Sequence, residues 1–262
     1  MASHLLLPRK PRKKLLKATA MLDKQAHCAS MEADLEAHLK SSFPTNPPLV
    51  VTEPMRHLVS CTPKSMAPVL CLAACELVGG RRDRAMDAAC AIQLMHAAKC
   101  VHGRLIGLDS SPLTYSPAIE LLTGDGVFPL GFEIIARNRE LDPEIGVRVV
   151  MEMTEALGGM VEGQLGRVEG GMEEEWVWER TEGRLCACAA ACGALVGGGG
   201  EEVVESVRRC GMYVGMMRGS VGLERAENLR SRALELLEAF HEEQRAAMLS
   251  LMDMCFHYGF AS

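Results

Sequence analysis

PVLCLAACELVGG at residues 68–80, followed by DRAMDAACAIQLMHAAKCVHGRL at 83–105, decides the fold. The first run is apolar without alternation and ends in Gly79-Gly80, the pair that takes a left-handed cap and stops a helix. In the second, Met86, Ala89, Cys90, Ile92, Leu94 and Met95 recur at helical spacing. Both runs are rich in Ala and Cys, small side chains that let helices approach closely. Two such helices in succession predict helix-on-helix packing.

The flanking sequence follows the same pattern. Met31 to Leu39 reads as a short amphipathic helix, and the proline-rich Ser42 to Pro54 as a loop. Asp109 to Ser116 is rich in turn residues. Ala118–Leu122, Val127–Ala136 and Glu144–Leu157 read as helical segments, with Gly158-Gly159 as an interruption before Val161 resumes. Leu185 to Val196 is an Ala/Cys helix closed by Gly197 to Gly200, and Glu201–Met217 and Leu223–Met254 complete the chain as helices. No alternating strand of useful length appears. The fold class expected is all-α, a single-domain helix bundle.

Composition narrows the function classes. The chain of 262 residues is 48% hydrophobic but only 4% aromatic, with 17 Met and 11 Cys. That is enough for one large core. A net charge of −6 argues against a nucleic-acid partner. The cysteines are odd in number and lie on apolar stretches, which is not the spacing of a disulfide framework. The longest apolar run, Leu185 to Gly200, is too short and glycine-rich to span a bilayer. Residues 1–25 carry Arg9, Lys10, Arg12, Lys13, Lys14, Lys17 and Lys24 against the single acid Asp23, the composition of an organelle transit peptide or of a plain basic arm. Residues 26–262 are expected to form the helical domain.

Three stretches resemble the plant geranylgeranyl diphosphate synthases, members of the all-helical isoprenyl diphosphate synthases: Pro68–Gly80 with Ala88–Ala91; Leu121-Leu122-Thr123-Gly124-Asp125-Gly126; and Gly159–Gln164 with the Ala/Cys helix ending Gly193-Ala194-Leu195. Their order and spacing hold from about residue 30 to 222. The resemblance implies an isoprenoid-synthase bundle. Its members ionise an allylic diphosphate with magnesium ions held by two aspartate-rich motifs facing one another across a cavity, because hard cations need oxygen ligands.

At those motifs the chain departs from the family. The first should follow a histidine on the long helix; His102 is followed by Gly103 and Arg104, and only Asp109 stands near the third position. The second should follow Cys210-Gly211; there the sequence reads Met217-Arg218-Gly219-Ser220-Val221-Gly222, without an aspartate. Arginine is always protonated and cannot ligate a cation. The family's diphosphate clamp falls on Thr62–Pro68, where Lys64 survives but Ser65 and Ala67 replace both arginines. The Gln-x-x-Asp element keeps Gln164 with Arg167 for the acid, and the Lys-Thr element falls at Arg180-Thr181. The degenerate metal-motif positions are therefore Gly103, Arg104, Asp109, Arg218, Gly219 and Gly222. No metal is expected in this chain and no catalysis by it alone.

What the sequence keeps is two CxxxC pairs, Cys71 with Cys75 and Cys188 with Cys192. The i, i+4 spacing puts each pair on one helix face. The small subunits of plant heterodimeric geranyl and geranylgeranyl diphosphate synthases are similar in carrying two such motifs, which in them serve binding of the catalytic subunit. The resemblance thus assigns partner binding to these four cysteines; read alone, each pair reads as small hydrophobes in the core rather than an interface. His96 and His102 read as packed or solvated histidines, and Glu173 to Glu175 as a solvated charge run.

The resemblance implies a non-catalytic regulatory subunit. It would bind a catalytic geranylgeranyl diphosphate synthase that holds the Mg2+, in a heterodimer or heterotetramer, and modulate its activity, product length or localisation. The place implied is the chloroplast stroma, with recruitment towards thylakoid membrane proteins. The alternatives are an isoprenoid-binding or scaffold protein without a synthase partner, and a weak prenyltransferase with atypical metal ligands.

Overall fold

The computed structural model describes residues 12–43, 48–219 and 222–258, with side-chain surroundings for 26–43, 48–219 and 222–254. Among the described residues every regular element is helical, so the expected all-α bundle is observed.

The first helix, α1 (Arg12–Ser42), is far longer than the short segment expected. It runs without a break across the boundary drawn at residue 25; residues 1–11 of the basic arm lie outside the described residues. α2 (Leu49–Cys61) occupies part of the expected loop. It holds Pro54 in its interior because Pro54 and Leu58 are buried on the helix that packs against α5 (Pro117–Arg137). That burial offsets the lost backbone hydrogen bond.

α3 (Ala67–Leu77) buries every residue except Glu76, and Gly79 ends it at φ +85° as the sequence predicts. A short 3-10 turn at Arg82–Ala85 leads into α4 (Met86–Leu105). Asp87 at the start of α4 ties three parts of the bundle together. One carboxylate oxygen meets His38 Nε2 at 2.7 Å, and the other accepts from Asn138 Nδ2 at 2.8 Å.

α5 and α6 (Pro143–Glu169) form an antiparallel hairpin joined by a short turn. Asp142 caps α6 by accepting from the N–H groups of Glu144 and Ile145. Two breaks expected from glycine are not breaks. In α5, a Cβ at Gly124 would lie 2.7 Å from His102 Nε2, so glycine there permits close packing on α4. In α6, Gly159, Gly163 and Gly166 lie under Arg184, Thr181 and Trp176. In all of these, packing outweighs the weak helix propensity of glycine.

α7 (Glu174–Trp178) continues through a π turn, Glu179–Gly183, into α8 (Arg184–Gly197). α9 (Glu201–Met217), α10 (Leu223–Leu237) and α11 (Glu242–Tyr258) complete the chain; the expected single last helix is two. No helix among the described residues is long and apolar enough to cross a membrane.

The core centres on α3 against α8. A Cβ at Gly193 would stand only 2.0 Å from the Cys71 carbonyl oxygen and 3.0 Å from Ala74 Cβ, so the two backbones touch. Gly193→Ala forces them apart. Urea unfolding should show a loss of about 2–3 kcal/mol, the usual cost of overpacking a tight core, with an unchanged slope.

Candidate functional site

The positions that the resemblance assigns to metal and diphosphate lie on α4, α6, the π turn and the end of α9. Lys99, on the face of α4 that carries Gly103 one turn later, forms an ion pair with Glu182 of the π turn. Gln164 of α6 donates to the Lys99 carbonyl at 3.0 Å. A Cβ at Gly103 would lie 3.3 Å from that same amide. His96, one turn earlier, donates from Nε2 to Pro63 O at 3.0 Å.

The electrostatics are self-contained. Burial would raise the Glu182 carboxyl, but the ammonium and hydrogen bond of Lys99 outweigh it and hold the acid below its ordinary range. Burial and the neighbouring Lys99 charge push His96 down to about 4, so it is neutral at physiological pH. Arg218, at the end of α9, adds its positive charge to both effects.

The remaining degenerate positions are also committed. Arg104 lies 3.4 Å from the buried Glu120, which itself accepts from the N–H groups of Thr114 (3.0 Å) and Tyr115 (3.1 Å). Arg104 thereby fastens the turn after α4. His102 Nε2 stands 3.2 Å from Asp125. The exposed Asp109 spends one carboxylate oxygen on the N–H and hydroxyl of Ser111, which lowers its carboxyl. Arg218 is exposed, and Gly222, at φ +106°, precedes α10; Ser220 and Val221 lie outside the described residues.

Gly219 carries the clearest obstruction. A Cβ there would fall 1.9 Å from Cδ2 of Trp178, so the indole lies directly on this glycine and no aspartate fits beneath it. Arg167 stacks over Trp178 at 5.4 Å and Arg180 over Trp176 at 5.3 Å, while Arg180 also reaches Glu162 at 2.8 Å. The surviving clamp residue Lys64 reaches Glu32 at 2.5 Å on the rim of a groove of about 910 Å3 between α1 and α2. Among the described residues no three His, Cys, Asp or Glu side chains converge as metal ligands. The side chains of Gly103, Arg104, Arg218, Gly219 and Gly222 offer no oxygen ligand, and the carboxylate of Asp109 is turned to Ser111, so these side chains do not fit magnesium.

The four cysteines of the CxxxC pairs are buried in the protomer. The expected small-residue helix face exists, but its occupant is this chain's own helix: α3 and α8 lie on one another. Cys188 and Cys192 sulfurs are 3.8 Å apart, Cys192 donates to Val149 O of α6 at 3.9 Å, and Cys75 donates to Arg81 O at 3.3 Å. Burial pushes Cys75 up to about 11. The Cys192 hydrogen bond and burial push Cys188 far up, and burial does the same for Cys71. All three are protonated thiols that act by packing. Direct contact of these sulfurs with a partner is closed off by α3, α6 and α8.

The exposed apolar surface lies elsewhere. On α6, Val147, Met151, Val161, Leu165 and Val168 stand exposed at alternating steps of three and four, with Met151 at 64% and Leu165 at 55%. Thr154 and Gly158 complete the row. Ile119, Leu121 and Leu122 of α5 are exposed as well. A monomer has no use for such a seam.

Sequence reasoning missed Lys99, Glu182 and this seam. Lys99 was detectable as a cation four residues before Gly103, hence on its face of the helix. Since a buried pair that loses one member strands a charge, Lys99→Met should cost about 3 kcal/mol. The depressed His96 and Glu182 act in the same sense: both bind fewer protons folded than unfolded, so stability is full above about pH 6.5 and falls on acidification towards pH 4. Thermal unfolding across that range checks it, and His96→Asn should flatten the upper part of the slope.

No family model matches the sequence. The chain is 40% identical, over 83% of its own length and 87% of the relative's, to the heterodimeric geranylgeranyl pyrophosphate synthase small subunit 2, chloroplastic, of Cannabis sativa. The crystal structure of the geranyl diphosphate synthase small subunit from Antirrhinum majus superposes with a TM-score of 0.80 at 38% identity, covering 88% of this chain and 98% of that one. A chain of a mint heterotetrameric geranyl pyrophosphate synthase deletion mutant gives a TM-score of 0.79 at 40% identity, covering 87% and 98%. With that identity over most of both sequences and the same all-helical bundle, the chain belongs to the small subunits of plant heterodimeric geranylgeranyl and geranyl diphosphate synthases, within the isoprenyl diphosphate synthase family.

Proposed function

We propose that this chain is a non-catalytic regulatory subunit that binds a catalytic geranylgeranyl diphosphate synthase and alters its activity, product length or placement in plastid isoprenoid biosynthesis. One combination carries the reading: motif positions taken up by the chain's own ion pair and indole, and an exposed apolar row on α6. Magnesium belongs to the partner, whose aspartate motifs are intact. The relatives' names support the pairing and the plastid, and the basic residues of 1–25 suit import.

In this reading the CxxxC pairs serve the partner at one remove. α8 carries Cys188 and Cys192 behind α6, and the Cys192 thiol holds the carbonyl of Val149, two residues from Val147 and Met151 of the seam. The cysteines thus set the position of the docking helix. Regulation then requires that the docked seam contact two states of the partner unequally.

Mixing the purified chain with a synthase carrying intact aspartate motifs, followed by calorimetry and product analysis, tests the reading. The isolated chain with magnesium, isopentenyl diphosphate and an allylic diphosphate should give no product; turnover near that of a family synthase would refute it. Leu165→Asp should weaken the complex about thirtyfold or more, the loss of an interface residue contributing about 2 kcal/mol, while leaving the helical circular dichroism intact.

The cysteines give a separate expectation. Cys188→Ala with Cys192→Ala should lower the melting temperature of the isolated chain and its affinity for the synthase together. Lowered affinity without any loss of stability would mean direct contact instead.

A further inference from the structure

α6 contains a glycine that the protomer does not explain. Gly159, Gly163 and Gly166 each have a neighbouring side chain within 3.1 Å of a built Cβ, and each is buried. Gly158 has nothing within 4 Å and is exposed. Glycine in a helix interior weakens the helix, and here no packing inside the chain offsets it.

Its place on the helix is telling. Gly158 lies in the apolar row, one turn from Thr154 and from Val161, with Met151 and Leu165 as the bulky residues beyond. The Thr154 hydroxyl is already donated to Val150 O at 2.8 Å, so it asks nothing of solvent. The row therefore has a notch between two raised ends. That notch sits near the middle of α6 (Pro143–Glu169). When equivalent helices of two subunits meet about a two-fold or pseudo-two-fold axis, they cross near the axis. The distance between helix axes is set by the side chains at the crossing.

We propose that Gly158 is the crossing point on α6 of the equivalent helix of the catalytic subunit, where the missing Cβ lets the two backbones approach. This rests on the proposed function and names its contact residue. A second copy of this chain fits less well. In an antiparallel two-fold crossing like edges meet, and the edge beside the seam carries Glu144, Glu155, Glu162 and Glu169, with Arg148 between them taken by Glu201. Arg184 and Arg180 bridge only Glu155 and Glu162.

Gly158→Ala and Gly158→Leu test this, because neither side chain meets anything within the protomer. Both variants should melt higher than the wild type, Gly158→Ala by about 2–4 °C. Calorimetric titration with a catalytic geranylgeranyl diphosphate synthase should show opposite behaviour: affinity about tenfold lower for Ala and a hundredfold or more lower for Leu. If the wild type binds, Leu165→Asp does not, and Gly158→Leu binds like the wild type, the seam stands and the crossing point is overturned. If the wild type does not bind the synthase at all, the proposed function fails instead. If sedimentation shows the wild type pairing with itself and Gly158→Leu abolishing that pairing, the occupant is a second copy and the proposal is wrong.

Discussion

A buried ammonium has to meet a carboxylate, and in this chain Lys99 meets Glu182. Much of the site follows from that necessity. The pair occupies the faces of α4 and the π turn that look towards the degenerate motif positions, and it neutralises them from within. Gln164 fixes the backbone at Lys99, and His96 is kept neutral by burial and by the same ammonium. A chamber built to take a highly charged ligand would need uncommitted cations or metal ligands. Here Lys99, Arg104, Arg180 and Arg184 are each held by a carboxylate of the chain itself, while Arg218, exposed at the end of α9, adds a further positive charge beside the pair. Trp178 on Gly219 completes the closure.

A second constraint, the contact of α3 with α8, carries the effect outward. Gly193 lets the two backbones touch, and the surrounding cysteines and alanines fill the space that remains. α8 lies behind α6 through Cys192 and Val149. The same packing that seals the core therefore fixes the helix whose other face is exposed. A change at a buried sulfur and a change on the seam are connected through one helix thickness.

The sequence disclosed much of this and hid the rest for identifiable reasons. α3 and α8, apolar along their length, and α9, with its apolar residues at helical spacing, were legible almost to the residue, because propensity, pattern and flanking glycines agree there. Pro54 and the glycines at 124 and 159 misled, because in each case tertiary packing decided against local propensity. The ion pair beside the expected motif positions was hidden, since Lys99 and Glu182 are distant in sequence and meet only through the fold. The cysteine pairs lie on a small-residue face, and the sequence could not say that the helix packed on it belongs to the same chain.

The exposed row on α6 is the counterpart of the sealed chamber. A helix bundle has to bury its apolar surface, whatever chemistry its interior supports. Val161 and Leu165 stay exposed in the protomer, so their burial has to come from another molecule. Gly158 sharpens the point: a helix that gives up stability at an exposed position with no neighbour of its own is shaped by what docks against it. An exposed apolar row of this extent fits a chain that acts through contact with another subunit.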